Sequence, residues 1–173
     1  MKLVLLGYMG CGKTTIGEQL AATLQYSFVD LDAAIAEDEK MSISRLFETK
    51  GEIYFRKKEN KMLSHLLSTH KDAVISLGGG TPCYGNVMQL LNENDTILPI
   101  YLSATLHTLT ERLFHEIEAR PMISHISDKE ILNDFIRKHI FERSFYYNQA
   151  KTKIVTDLKT VQEIVEEIVA LLF

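Results

Sequence analysis

A chain of 173 residues, of which 46% are hydrophobic and 24% charged, can bury the core of one globular domain, and we predict a single domain over residues 1–173. Its formal net charge of −4, from 19 basic and 23 acidic residues, argues against general binding to nucleic acid or to an anionic membrane, so that any anion site must be local. The two cysteines, Cys11 and Cys83, suggest no disulfide framework, so we expect a protein of the reducing cytoplasm. We also predict no signal peptide and no apolar run long enough to span a bilayer.

Residues 1–24 predict a strand, a glycine-rich loop and a helix. Residues 1–6 form an apolar run typical of a buried parallel strand, and Ile16, Leu20 and Leu24 have the spacing of a buried helix face. Between them, residues 7–14 have the sequence Gly-Tyr-Met-Gly-Cys-Gly-Lys-Thr and fit the P-loop pattern G-x-x-x-x-G-K-[ST]. The pattern predicts a bound nucleoside triphosphate, with phosphate-binding residues Gly10, Cys11, Gly12, Lys13, Thr14 and Thr15.

Two residues of this loop have predicted roles beyond the backbone. Lys13 would reach the β- and γ-phosphates, and the hydroxyl of Thr14 would bind Mg²⁺. The alternative is a chance glycine-rich turn after a strand, which the correct flanking elements make the weaker interpretation.

Acidic residues follow the second predicted strand, residues 26–29. Asp30 and Asp32 lie at its end, where one carboxylate would act on Mg²⁺ or its water shell and the other on an acceptor hydroxyl. The alternative for Asp32 is that it only caps the helix that we predict to start after it.

Helices are predicted at residues 42–49, with Ser42 as cap, and at residues 52–68, with a break at Gly51. On the second helix, Glu52, Arg56 and Glu59 share one face, and apolar neighbours indicate a partly sheltered guanidinium that suits a carboxylate ligand. The alternative is a solvated face with weak ion pairs.

The third predicted strand, residues 73–77, leads into Gly78, Gly79 and Gly80. Three consecutive glycines lose much backbone entropy on folding, so that the close approach of a ligand explains them better than a simple connection does. The fourth strand is predicted at residues 96–102 and a helix at residues 105–113.

The C-terminal part contains two further arginines of interest. Residues 115–126 are polar and contain Pro121, which predicts a mobile loop in which Arg120 could neutralise charge on a transferred phosphoryl group. Arg143 lies late in a long helix predicted for residues 129–149. At such a position an arginine beside aromatic residues often serves only in packing or in capping the helix. A fifth strand at residues 153–156 and an amphipathic helix complete the chain.

Strands that alternate with helices predict an α/β fold, a three-layer αβα domain with a five-stranded parallel sheet. Ligands of such folds bind at the carboxyl ends of the strands, which is where the phosphate loop, Asp30, Asp32 and the three glycines are expected.

Over nearly its whole length the chain resembles the shikimate kinase family. The resemblance rests on the phosphate loop, on residues 28–32, on Gly51-Glu52 with Phe55-Arg56 and Glu59, on residues 77–80, on Arg120-Pro121, and on Arg143 with Tyr147. It implies a nucleoside-monophosphate-kinase-like P-loop fold with a helical substrate-binding region at residues 33–61 and a mobile lid at residues 112–126.

The same resemblance implies the site residues. Asp32, Arg56, Gly78, Gly79, Gly80 and Arg143 would bind shikimate, with the two arginines on its carboxylate. Asp30 would support Mg²⁺ through its water shell, Arg120 would come from the lid, and Arg112 would lie near the adenine. Lys13, Asp32 and Arg120 are the predicted catalytic residues.

The predicted reaction is transfer of the ATP γ-phosphoryl group to the 3-hydroxyl of shikimate, in aromatic amino acid biosynthesis, by a monomer. A gluconate kinase, a nucleoside-monophosphate kinase or another small-molecule P-loop kinase is the rival within the same class. A nucleotide-binding regulator without chemistry is the rival of another class, although Asn60-Lys61 lacks the aspartate of a guanine-binding motif.

Overall fold

The computed structural model describes residues 1–172, and in it five parallel strands form one sheet of order β2-β3-β1-β4-β5. The strands are β1 (Lys2–Leu6), β2 (Ser27–Asp30), β3 (Ala73–Ser76), β4 (Ile97–Ser103) and β5 (Thr152–Val155). The predicted five-stranded parallel sheet is therefore confirmed. The central strand β1 is buried from Leu3 to Leu6, because it pairs with β3 on one side and β4 on the other.

Seven α-helices cover the sheet in the described part of the chain: α1 (Lys13–Leu24), α2 (Leu31–Glu39), α3 (Ile43–Thr69), α4 (Val87–Glu93), α5 (Leu106–His115), α6 (Lys129–Tyr147) and α7 (Val161–Ala170). Helix α1 packs against α7 and against β2 and β3, whereas α4 packs on β4 and α5 on α6. This is the predicted three-layer αβα arrangement.

The start of α2 differs from the sequence prediction. The helix begins at Leu31, one residue after its cap Asp30, whose Oδ1 accepts a hydrogen bond from the Ala33 N–H at 3.0 Å. Asp32 therefore lies in the first helical turn and does not cap the helix, because the upstream carboxylate already occupies that position. The side chain of Asp32 remains available to the site.

Helix α3 contains the predicted break at Gly51, where φ is 80° and ψ is 170°. Ser42 caps its first turn as predicted, because its Oγ accepts a hydrogen bond from the Arg45 N–H at 3.2 Å. The positive φ at position 51 is one that a residue with a β-carbon rarely adopts, so glycine allows the two halves of α3 to meet at an angle.

The connection from α5 to α6 is irregular, as predicted, with a 3-10 turn at Ile117–Ala119. Helix α5 continues through His115, so Arg112 is in a helix and only the later part of the predicted lid is a loop. None of the helices within residues 1–172 combines the length and apolar character required to cross a bilayer.

Candidate active site

A cleft of about 460 Å³ opens at the carboxyl ends of β1, β2 and β3. Its lining includes twelve of the residues predicted from the sequence, namely Gly10, Cys11, Gly12, Lys13, Thr14, Thr15, Asp30, Asp32, Gly78, Gly79, Arg112 and Arg120. Gly80, Arg56 and Arg143 do not line this cleft but lie just beyond it, around the second and third glycines of the triplet. The cleft and this adjoining space form one candidate site.

The phosphate loop is built on left-handed glycines, with φ of 81° at Gly10 and 98° at Gly12. Lys13 folds back over the loop, and its Nζ donates to the carbonyl oxygens of Gly7 at 2.8 Å and Tyr8 at 3.1 Å. Carbonyl oxygens are neutral partners, so a phosphate oxygen can replace them and gain a charge-assisted hydrogen bond.

Arg112, Arg120 and Lys159 add positive charge to the lining of the cleft. Arg112 donates to the Gly10 carbonyl at 3.1 Å, whereas Arg120 binds Glu116 at 2.6 Å and Lys159 binds Glu167 at 2.5 Å. In a protein of net charge −4, this concentration of cations is a local site for an anion. Within residues 1–172, Lys13 and Arg112 have no carboxylate partner, whereas Arg120 and Lys159 each have one.

Asp32 lines the cleft together with the phosphate loop, and its carboxylate lies beside Gly78. Burial raises its pKa to about 6, helped by the nearby carboxylates of Asp30 and Glu59 and opposed by the positive charges of Lys13 and Arg56. A carboxylate with a pKa near neutrality is a better proton acceptor than an ordinary aspartate.

Arg56 is held on several sides. Its Nη1 donates to Glu59 Oε2 at 2.8 Å, and its guanidinium stands over the ring of Tyr84 at 3.9 Å from the ring centre. Glu59 is 2% exposed, and its other oxygen accepts from the Thr81 hydroxyl at 2.6 Å. A β-carbon added to Gly80 would stand only 2.7 Å from Arg56 Nη2, so the glycine makes room for the guanidinium.

Arg143, on α6, lies against Gly79, the glycine that precedes Gly80. A β-carbon at Gly79 would lie 3.5 Å from its Nη1. Within residues 1–172 it forms no ion pair with a carboxylate. Burial raises the pKa of Cys83, and the charges of Arg143 and Arg56 both lower it, which places both guanidiniums near this one thiol. The two arginines therefore converge on one turn, and one of them has no acidic partner.

Tyr147 fixes that turn. Its hydroxyl donates to the Gly79 carbonyl at 2.6 Å, and its ring packs on Tyr101 with centres 5.2 Å apart. Burial raises its pKa, so the hydroxyl stays protonated and remains a donor.

Sequence reasoning missed several neighbours of the site. Tyr8, inside the phosphate loop, has its hydroxyl 3.1 Å from His139 Nδ1 and its ring 5.7 Å from the Arg143 guanidinium carbon. Thr81 and Lys159 were also missed, as was Ser76, whose buried hydroxyl has no partner among the described residues. Tyr8, Ser76 and Thr81 carried a local signal, because they lie within or beside the phosphate loop and the glycine triplet, whereas Lys159 is distant in sequence from every predicted site residue.

Known proteins resemble this chain over its whole length. The family model described as shikimate kinase matches residues 9–173. A shikimate kinase from Flavobacterium johnsoniae is 48% identical over 171 residues, which cover 99% of this chain and 98% of that protein.

Solved structures agree with the sequence matches. Shikimate kinase from Bacteroides thetaiotaomicron superimposes with a TM-score of 0.92 at 32% identity, covering 99% of this chain and 98% of that one. Shikimate kinase from Acinetobacter baumannii, solved in complex with shikimate, gives 0.85 at 27% identity, covering 99% and 92%.

Proposed function

The chain belongs to the shikimate kinase family, whose reaction is ATP-dependent phosphorylation of shikimate, and we propose that Lys13, Asp32 and Arg120 carry out this reaction in the cleft. The reaction makes the protein a transferase of the shikimate pathway, which supplies aromatic amino acid biosynthesis. One observation supports the residue assignment above all: Lys13, Asp32, Gly78 and Gly79 line one cleft, and Arg56 and Arg143 approach Gly80 and Gly79 at its border.

The acceptor end is proposed to bind shikimate through its carboxylate. Arg56 and Arg143 lie against Gly80 and Gly79, and the absence of a side chain on these glycines lets both guanidiniums approach the same turn. A guanidinium presents a planar pair of donors that matches a carboxylate, so the two arginines fit a monocarboxylic acid. Gly78 lies next to the Asp32 carboxylate, which we place on the ring hydroxyls.

The donor end is proposed to bind ATP with Mg²⁺. The backbone of Gly10, Cys11, Gly12, Lys13, Thr14 and Thr15 would surround the phosphates, and Arg112 would lie near the adenine. The residues present suit Mg²⁺, because Thr14, Asp30 and Ser76 line the cleft and offer oxygen ligands. The Ser76 hydroxyl has no hydrogen-bond partner within residues 1–172. When bound, the ion would neutralise charge on the β- and γ-phosphates.

The protein's part in the chemistry is alignment and charge stabilisation. The 3-hydroxyl oxygen of shikimate attacks the γ-phosphorus, the bond to the β–γ bridging oxygen breaks, and ADP leaves. Asp32 would orient the hydroxyl and accept its proton, while Lys13 and Arg120 would stabilise the charge on the transferred group. We infer that Arg120 first exchanges Glu116 for phosphate as the lid, residues 112–126, closes and excludes water.

Three further expectations belong to the same proposal. Residues 33–61 would act as the substrate-binding region, because they contain Arg56 and Glu59. We expect the enzyme to act as a monomer in the cytoplasm. We also expect shikimate, and neither nucleic acid nor membrane, as its partner, since the cations gather in the cleft of an acidic protein.

A comparison of acceptors tests the assignment. In a coupled assay for ADP with saturating MgATP, we expect kcat/KM for shikimate to exceed that for gluconate or a nucleoside monophosphate by roughly a hundredfold or more, since a site built for one set of polar groups rejects others strongly. Preference for gluconate or for a nucleotide would reject the proposed acceptor. ATP binding without transfer to any of them would favour the regulator.

The raised pKa of Asp32 makes a prediction about stability against pH. The folded pKa is about 6 and the ordinary value 3.8, so the folded state binds this proton more tightly. The stability that this group contributes is therefore complete below about pH 4 and is lost as the pH rises through about 6. At pH 7.5 we expect Asp32→Asn to be more stable than the wild type by about 2 kcal/mol, and turnover to fall at least about a hundredfold.

Urea unfolding of the ligand-free protein at pH 4.5, 6 and 7.5 measures the effect, with Asp95→Asn, at an exposed position, as the matched control. The stability gain of Asp32→Asn should shrink as the pH falls. A variant that is less stable than the wild type at pH 7.5 would contradict the raised pKa of Asp32, and with it the conclusion that the folded protein disfavours the ionised carboxylate.

A further inference from the structure

Glu39, the last residue of α2, receives three hydrogen bonds from α3. Its carboxylate binds Lys50 Nζ at 2.6 Å, the Tyr54 hydroxyl at 2.9 Å and Lys58 Nζ at 2.9 Å. The Glu39 side chain is only 6% exposed, whereas those of Lys50 and Lys58 are 37% and 21% exposed. A sheltered carboxylate with three donors is unlike an isolated surface ion pair, which contributes little.

The three donors stand on both sides of the break in α3. Lys50 precedes Gly51, whereas Tyr54 and Lys58 follow it. Apart from its chain neighbours and the nearby backbone of the helix itself, no described atom would lie within 4 Å of a β-carbon added at Gly51, so the backbone is not tightly packed on that side. The carboxylate of Glu39 joins the two halves of the helix across this point, where Lys50 Nζ also donates to the Tyr54 hydroxyl at 3.3 Å.

The half of α3 after the break also carries acceptor-site residues. Tyr54 and Lys58, one turn apart, face Glu39, whereas Arg56 and Glu59 face the glycine triplet on another side of the same helix. Because a helix moves as a rigid element, a change of angle at Gly51 would displace the Arg56 guanidinium from Gly80.

We propose that Glu39 is a positioning residue, whose bonds to Lys50, Tyr54 and Lys58 fix the angle at Gly51 and so hold Arg56 at the acceptor site. The inference rests on the proposed function, in which Arg56 binds the carboxylate of shikimate. It assigns no chemical step to Glu39, which lies outside the cleft lining.

The charge of Glu39 is part of this arrangement. Hydrogen bonds from Lys50, Lys58 and Tyr54 lower its pKa to about 2, so the carboxylate remains ionised at every pH at which a kinase would be assayed. Replacing it by glutamine keeps the size of the side chain but removes the charge that two lysines share.

The kinetic test uses Glu39→Gln in the full-length enzyme. We expect the KM for shikimate to rise about five- to tenfold, with kcat within about twofold and the KM for ATP unchanged, because a displaced positioning group weakens one ligand selectively. Tyr54→Phe, which removes one donor and keeps the ring, should give a smaller rise. Glu166→Gln, an exposed carboxylate on α7 that bonds only to Gln162, is the matched control and should change neither KM.

Hydrogen exchange gives a second readout that does not depend on the acceptor. Glu39→Gln should accelerate amide exchange in residues 50–58 and leave the sheet unchanged. An unchanged exchange rate there would overturn the proposal whatever the substrate is. An unchanged KM for shikimate would also overturn the proposal. A fall in kcat accompanied by similar rises in the KM values for shikimate and ATP would overturn it too. Accelerated exchange in an enzyme that prefers another acceptor would instead retain the role of Glu39 and reject the proposed substrate.

Discussion

Replacing Lys13 by alanine is expected to lower kcat by at least about a hundredfold, because the variant loses the cation that we propose to bind the transferred phosphoryl group. In the structure its amine makes hydrogen bonds only to the Gly7 and Tyr8 carbonyls of the loop, together with a 3.9 Å contact to the Cys11 sulfur. Exchange of these neutral partners for phosphate oxygens places a full charge where negative charge moves during transfer. Steady-state turnover of shikimate with saturating MgATP measures the loss.

The fold should survive this change, because Lys13 is half-buried at the first turn of α1. Within residues 1–172, its amine forms no ion pair that the substitution would break. Lys151→Ala, at an exposed position before β5, is the matched control and should retain wild-type turnover. Wild-type turnover in Lys13→Ala, with an unchanged melting temperature, would refute the role that we assign to this lysine.

Replacing Arg143 by methionine is expected to lower kcat/KM for shikimate by about a hundredfold, while the KM for ATP changes little. Loss of a guanidinium from a sheltered carboxylate costs about 2–4 kcal/mol, and 1.4 kcal/mol corresponds to a factor of ten. Methionine retains an unbranched side chain against Tyr8, so the change removes mainly the charge. Arg143 is preferred to Arg56 for this test because removal of Arg56 would leave buried Glu59 without its cation and so destabilise the protein.

An uncharged acceptor makes the Arg143 test specific. With the carboxamide of shikimate in place of the acid, wild type and Arg143→Met should have similar kcat/KM values, because no carboxylate remains for the arginine to bind. Arg137→Met, also on α6 but exposed and paired with Asp134, is the matched control and should behave as wild type with both acceptors. An equal loss with the acid and the amide would show that Arg143 acts in another way.

Much of the architecture could be predicted from local patterns. The apolar run of β1, the glycine loop and the spaced apolar residues of α1 each determine structure over a few residues, and all three elements are present in the structure. Gly51 and Ser42 were also predicted correctly, because a helix break and a helix cap depend on the conformation of single residues. The start of α2 was predicted two residues too late, because Asp30 and Asp32 have the same side chain and the sequence does not show which of them caps the helix.

The neighbours of the acceptor site could not be predicted in this way. Sequence spacing cannot reveal that Thr81 binds Glu59, that Tyr8 lies beneath Arg143, or that Glu39 joins both halves of α3. Each of these contacts joins two elements, and its existence depends on how those elements pack against each other.

The sequence by itself determined an alternation of strands and helices, a triphosphate-binding loop and the residue types of a phosphoryl-transfer site, because these follow from local periodicity and from the chemistry of single side chains. Tertiary structure alone decided that β3 is inserted between β1 and β2, and that Arg56 and Arg143 meet at Gly80 and Gly79 from separate helices. The physical reason is that strand order and side-chain convergence are set by the burial of whole faces against one another, a long-range free energy that no short stretch of sequence contains.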